Sequence, residues 1–222
     1  MIARILSRAC LLLVLLATAG KAGAQLPVEA FGGDKKATFD ALFFHFFRNA
    51  NDQPSRFLFF SRTRASVDYK ITQTTNLPSF GLTEAFSYNA PKLKGVAPVA
   101  VVQLLNRGVY PKAGVQYVLL RKEVTLFTWL VSELDNEPVV DHFLLVRYTP
   151  KITERYQLFL QAESISAFPT QANENRSFTQ RFRLGLMRSA FQFGAGIDLT
   201  EVGRDEYTGT QNTGLFLRYD FR

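Results

Sequence analysis

The sequence predicts an all-β fold: a transmembrane antiparallel up-and-down β-barrel. Three observations predict it. An export-type segment opens the chain. Long stretches alternate apolar and polar residues with period two. Aromatic residues gather near the ends of those stretches.

The opening segment comes first. Arg4 and Arg8 give a positive start, Ala9 to Gly20 form a short apolar run, and Ala22-Gly23-Ala24 is a small-x-small cleavage pattern. This is the layout of a secretory signal peptide over residues 1–24, with the mature chain beginning at Gln25. The apolar run is too short to span about 30 Å of hydrocarbon as a helix. Cys10, the only cysteine, precedes that run, so it is not placed for lipid attachment at the cleavage point, and the mature chain has no disulfide.

The strand pattern follows. In Arg56 to Ile71, Phe59, Thr63, Ala65, Val67, Tyr69 and Ile71 share one face, opposite Arg62, Arg64, Ser66, Asp68 and Lys70. Tyr156, Leu158, Leu160 and Ala162 oppose Arg155, Gln157, Gln161 and Glu163. Phe178, Phe182, Leu184 and Leu186 oppose Thr179, Arg181, Arg183 and Gly185. Phe191, Phe193, Ala195, Ile197 and Leu199 oppose Gln192, Gly194, Gly196, Asp198 and Thr200. Leu215, Leu217, Tyr219 and Phe221 oppose Phe216, Arg218, Asp220 and Arg222. Such alternation also suits a soluble sandwich. The length of the stretches, the aromatic residues at their ends (Tyr69, Tyr88, Tyr117, Tyr148, Tyr156, Phe168, Phe178, Phe191, Tyr219) and a chain that ends inside a strand favour a barrel in a bilayer. A free sheet edge is not tolerated in hydrocarbon, so the last strand must pair with an early one.

The tail, Gly214-Leu-Phe-Leu-Arg-Tyr-Asp-Phe221, resembles the C-terminal signal of bacterial outer-membrane barrels, with Gly214, Leu217, Tyr219 and Phe221 in the signal positions and Arg222 as a departure. Together with Phe59-Phe60-Ser61-Arg62-Thr63-Arg64, it makes the chain resemble an uncharacterised bacterial outer-membrane β-barrel protein family. The resemblance implies an outer-membrane location, contact with outer-membrane lipid, and the barrel assembly machinery as a partner during insertion. It implies no activity.

Counting back from the tail gives strands near 212–222, 191–203, 176–188, 153–165, 138–149, 124–134, 114–122, 96–106, 80–90 and 56–71. That is ten, an even number as such barrels require. Short turns near 188–190, 149–151, 122–123 and 91–94 belong on the periplasmic side, and longer connections at 166–175, 204–211 and 107–113 on the outer side. Val96 to Leu105 is apolar on both faces and Val115 to Leu120 nearly so, which suggests packing against something inside the barrel. Residues 25–55 are read as an N-terminal segment packed in or beside a barrel of residues 56–222. Thr38 to Arg48 reads either as a helix, with Phe39, Leu42, Phe43 and Phe46 in one stripe, or as a strand apolar on both faces, which with another near Gln25 to Gly32 gives the alternative of twelve.

The formal charge is +7, of which Arg4, Arg8 and Lys21 of the signal contribute three, leaving about +4 dispersed along the mature chain. No run of like charge points to nucleic acid. No cofactor is expected. His45 lacks companion ligands for a transition metal. Asp135-Asn136-Glu137 and Asn173-Glu174-Asn175 lack the glycine-centred spacing of a calcium loop. His142, with Asp141 before it and Ser132 in the preceding strand, has some likeness to a Ser/His acyl hydrolase of the outer membrane, but position 144 is Leu where the resemblance requires Ser, so the protein is not expected to be an enzyme.

The inward ladder remains: Arg62, Arg64, Asp68, Lys70, Arg155, Glu163, Arg181, Arg183, Asp198, Arg218 and Asp220. In a barrel this narrow, side chains fill the lumen and opposite charges pair. The first expectation is therefore a structural or interaction barrel with a largely filled, charged lumen. The alternative is a narrow channel or binding barrel for a small polar or anionic solute, since rings of Arg and Lys lower the barrier for anions.

Overall fold

The computed structural model describes residues 26–49, 51–70, 78–171 and 173–221. The segment read as a signal peptide, with Cys10, and also Ile71 and Arg222, lie outside the described residues. Twelve antiparallel strands run in chain order: β1 (Leu26–Gly33), β2 (Lys36–Arg48), β3 (Pro54–Asp68), β4 (Ser79–Tyr88), β5 (Val96–Leu105), β6 (Gly108–Leu120), β7 (Val124–Glu133), β8 (Val139–Tyr148), β9 (Gln157–Pro169), β10 (Arg176–Arg188), β11 (Phe191–Gly203) and β12 (Tyr207–Phe221). Each pairs with its chain neighbours, and β1 pairs with β12 to close the barrel. Among the described residues no helix is long and apolar enough to cross a membrane.

The period-two faces become the two sides of the wall. Burial is inverted relative to a soluble core. Leu215 is 70% exposed and Leu184 58%, while Arg218 is 5% exposed and Arg183 3%. Apolar side chains therefore face outward and charged ones inward on β9 to β12, as expected of a barrel in hydrocarbon. The outer surface carries aromatic clusters at both rims. Phe191, Tyr219 and Phe221 pack together at the rim that holds the chain termini, as do Phe57, Phe86 and Tyr88. Phe168, Phe178 and Tyr207 pack at the opposite rim.

The preferred count of ten strands is corrected to the alternative of twelve. Residues 26–33 and 36–48 are wall strands, and among the described residues no separate N-terminal segment sits in or beside a smaller barrel. The reason is closure. β12 needs an antiparallel partner for its free edge. Leu26 to Gly33 supplies it in register from Leu26↔Phe221 to Gly33↔Gly214. The seam is fastened at the opposite rim, where Asn212 Oδ1 accepts from the backbone N–H groups of Lys35 (2.9 Å) and Lys36 (3.1 Å). A Cβ at Gly33 would overlap the Asn212 side chain, so glycine makes room for this fastening. The loop lengths are corrected too. The opposite-rim connections at 106–107 and 204–206 are short, because β6 and β12 continue through residues read as loop.

The doubly apolar stretches have a physical cause. On β2 to β8 the lumen side is itself apolar. Leu42, Phe60, Val99, Val101, Phe127, Trp129, Val131, Phe143 and Leu145 form one buried cluster inside the barrel. Phe60 stacks on Phe127 at 5.1 Å between centroids and meets the edge of Trp129 at 5.1 Å. β5 therefore faces lipid on one side and this cluster on the other, which is why it does not alternate.

Candidate functional site

The lumen is the candidate site, and its centre is an ion-pair lattice. β1 contributes Glu29, β2 Asp40, β3 Arg62 and Arg64, β9 Glu163, β10 Arg181 and Arg183, and β11 Asp198. Alternation places each of them inward. Arg62 Nε donates to Asp40 Oδ1 at 3.0 Å, and its Nη2 to Glu163 Oε1 at 3.0 Å. Arg64 donates to Asp40 at 2.7 Å and to Asp198 at 2.9 Å. Arg181 pairs with Glu163. Arg183 donates to Glu29 at 2.9 Å and Asp198 at 2.8 Å, with its guanidinium 4.0 Å over the Phe31 ring. β3 is not a neighbour of β9 or β11 in the wall, so Arg62–Glu163 and Arg64–Asp198 span the lumen. Four guanidiniums meet four carboxylates. That balance lets these charges be buried, because an unmatched ion there would carry its full desolvation cost.

On one side of the lattice lies a vestibule of about 760 Å³, opening at the rim opposite the termini. Arg62, Arg64 and Arg181 form its charged floor, and Phe60, Trp129 and Phe143 its apolar floor. Lys112 lies in its wall, held to Asp141 at 2.5 Å and Glu133 at 3.2 Å. On the terminal side lies a cavity of about 10 Å³, bounded by Arg62, Arg147, Gln161 and Arg218 among others. Arg62 borders both spaces and is the partition between them.

Of the predicted ladder, Arg62, Arg64, Glu163, Arg181, Arg183, Asp198, Arg218 and Asp220 face the lumen, and the structure brings the first six into one lattice. Arg218 and Asp220 sit nearer the terminal rim, 3.4 Å apart. Three placements are corrected. Asp68 and Lys70 are exposed at the opposite rim, where β3 ends, and Arg155 is exposed in the connection before β9. They have the right parity but lie beyond the strand length that encloses a lumen. Of the tail residues, Leu217, Tyr219 and Phe221 face outward, and Gly214 faces inward against Gly33 of the seam.

Sequence reasoning misses Glu29, Asp40, Lys112, Glu133, Asp141 and Arg147. Asp40 is hidden in the aromatic run of β2. A usable signal exists for Asp141 and Arg147, which share parity with each other and oppose His142. His142 itself faces outward, with Nε2 3.2 Å from Thr128 Oγ1. Asp141 faces inward to Lys112, and the Ser132 hydroxyl donates to the Glu133 carbonyl at 3.4 Å, so Ser132, His142 and Asp141 do not meet as a catalytic set.

No protein-family model matches the chain, and no curated protein matches it in sequence. Among solved structures it is similar to the NanC porin, with a TM-score of 0.52 at 8% identity, over 90% of this chain and 100% of that one. It is also similar to the KdgM porin in complex with disordered oligogalacturonate, with a TM-score of 0.47 at 11% identity, over 89% of this chain and 99% of that one. The likeness to the NanC porin is one of fold. The chain has the fold of a porin-like outer-membrane β-barrel.

Proposed function

We propose that the protein is a narrow binding barrel for small anionic solutes, which enter the vestibule from the outer side and settle on its arginine floor. The observation that carries this is the make-up of that floor. Arg62, Arg64 and Arg181 each bear five N–H donors and no acceptor, and the lattice carboxylates engage only part of them. Arg181 Nε makes no hydrogen bond among the described residues and lies 3.8 Å from Asp198 Oδ2. Guanidiniums lining the base of an open vestibule favour a carboxylate or phosphate over a cation. The aromatic half of the floor supplies an apolar face for the rest of the solute.

The only tryptophan, Trp129, lines the same vestibule and reports binding directly. A panel of small carboxylates and phosphates, titrated into the purified barrel, is expected to change Trp129 emission saturably. Arg64→Ala and Arg181→Ala are expected to weaken that response about tenfold, the scale of one charge-assisted hydrogen bond. In planar bilayers, anion-selective conductance would extend the role from binding to passage. No saturable response to any anion refutes the proposal.

A second reading, a structural barrel with a filled lumen, draws on the cross-lumen ion pairs and the aromatic cluster inside the barrel. It predicts silence in both assays.

A further inference from the structure

Above its floor the vestibule is two-faced. On β8 and β9 the inward rungs pair Phe143 with Ile165 at the floor, Asp141 with Ala167 above it, and Val139 with Pro169 at the mouth. Five of those six side chains are apolar. Asp141, the exception, is drawn toward β6 by Lys112 at 2.5 Å. Val139, Ile165, Ala167 and Pro169 are only half-buried, so the strip they form is open to whatever fills the vestibule. Its surroundings are polar: Ser177 beside it on β10, and Ser79, Thr83 and Gln103 across the lumen on β4 and β5. From Ile165 to Pro169 the strip rises about 13 Å along β9.

Arg181 stands at the foot of the strip. Its register partner on β9 is Glu163, the next inward residue below Ile165. A carboxylate seated on Arg181 therefore has the strip directly above it. Any hydroxyl of the solute turned to that wall would lose its water without gaining a partner, a cost that a hydrocarbon body does not incur. The volume of about 760 Å³ accommodates one small organic molecule.

We propose that the solute of the vestibule is an amphipathic carboxylate, with its head on Arg181 and a single aliphatic chain laid along the strip of β8 and β9. This rests on the anion-binding reading above and narrows its substrate class to apolar-bodied acids over polyhydroxylated acids of the same charge.

Trp129 packs on Phe143 at the foot of the strip, 5.2 Å between centroids, and so reports the chain as well as the head. Acetate, butanoate, hexanoate and octanoate are titrated into the purified barrel in lipid nanodiscs, with gluconate as a polyhydroxylated acid of the same carbon count as hexanoate. Binding is expected to tighten about two- to fourfold for each added methylene, the scale of burying that group against one wall. Hexanoate is expected to bind at least tenfold more tightly than gluconate and to shift Trp129 emission to the blue. Ile165→Asn and Val139→Ser are expected to flatten the dependence on chain length while leaving the response to acetate in place. The acids partition into the bilayer equally for all three proteins, so a difference between them belongs to the strip. Val139, half-buried at the mouth, keeps the comparison available if Ile165→Asn fails to fold. Gluconate binding as tightly as hexanoate, or an unchanged chain-length dependence in the variants that fold, overturns this assignment and leaves the anion-binding reading standing. Silence toward every acid in the series removes both.

Discussion

Replacing Arg62 by Met tests the lattice most directly. Arg62 is 8% exposed and joins Asp40 on β2 to Glu163 on β9 across the lumen. Removing its charge leaves three guanidiniums facing four carboxylates. Asp40 keeps Arg64 and Glu163 keeps Arg181, so neither carboxylate is stranded alone. Breaking a buried pair from one side costs roughly 3–5 kcal/mol, and the surviving partners place this case at the low end, about 3 kcal/mol. That is about two orders of magnitude in the folding equilibrium. Adding Glu163→Gln restores the balance at three against three. The double variant is therefore expected to be more stable than the sum of the single losses by about 1 kcal/mol or more, the range seen for residues in one network. Urea unfolding in lipid vesicles, followed by Trp129 emission, measures all four proteins of the cycle. A loss below about 1 kcal/mol for Arg62→Met, or strictly additive losses, would refute the claim that charge parity sustains the lattice.

Three further outcomes follow from the same structure. Phe60→Ala empties the centre of the interior aromatic cluster, where Phe60 is 1% exposed, and is expected to cost about 3–5 kcal/mol and shift Trp129 emission to the red; a cost typical of a lipid-facing site would contradict an apolar interior. Glu84 faces outward in mid-strand, held by Ser61 at 3.0 Å with its second oxygen unpaired. Glu84→Leu is accordingly expected to stabilise the barrel in bilayers by about 1 kcal/mol, and Glu163→Leu to destabilise it, a contrast readable in the same unfolding assay. Gly196 leaves room for Arg183, whose Cδ would lie 2.7 Å from an added Cβ; Gly196→Val is expected to displace that guanidinium from Asp198 and cost about 1–3 kcal/mol in the same unfolding assay, whereas Gly209→Val, with open space around it, should cost little.

The readable parts of the chain are those with a clean alternation. On β9 to β12, parity alone assigns inside and outside for Arg181, Arg183, Asp198 and Arg218. It fails where both faces are apolar. Phe60 and Phe159 share parity with Arg62 and Gln161, yet an aromatic residue in a membrane strand reads as lipid-facing by type. The run from Phe39 to Phe47 is apolar on both faces as a strand and also offers a helical stripe of Phe39, Leu42, Phe43 and Phe46, so β2 reads as an accessory element, and Asp40 is lost with it.

Local chemistry along the chain was enough to determine that this is a membrane-type barrel and which way most strands face, because side-chain direction in a strand repeats every two residues and needs no partner to be known. Closure by Leu26–Gly33, the cross-lumen ties of Arg62 to Glu163 and of Arg64 to Asp198, and the convergence of Arg147 and Arg218 on Gln161 were decided by tertiary structure alone. Those partners are set by the stagger of twelve strands around the wall. A one-residue slip in any pairing would turn a whole strand over, so which charges meet depends on every register at once and on no segment alone.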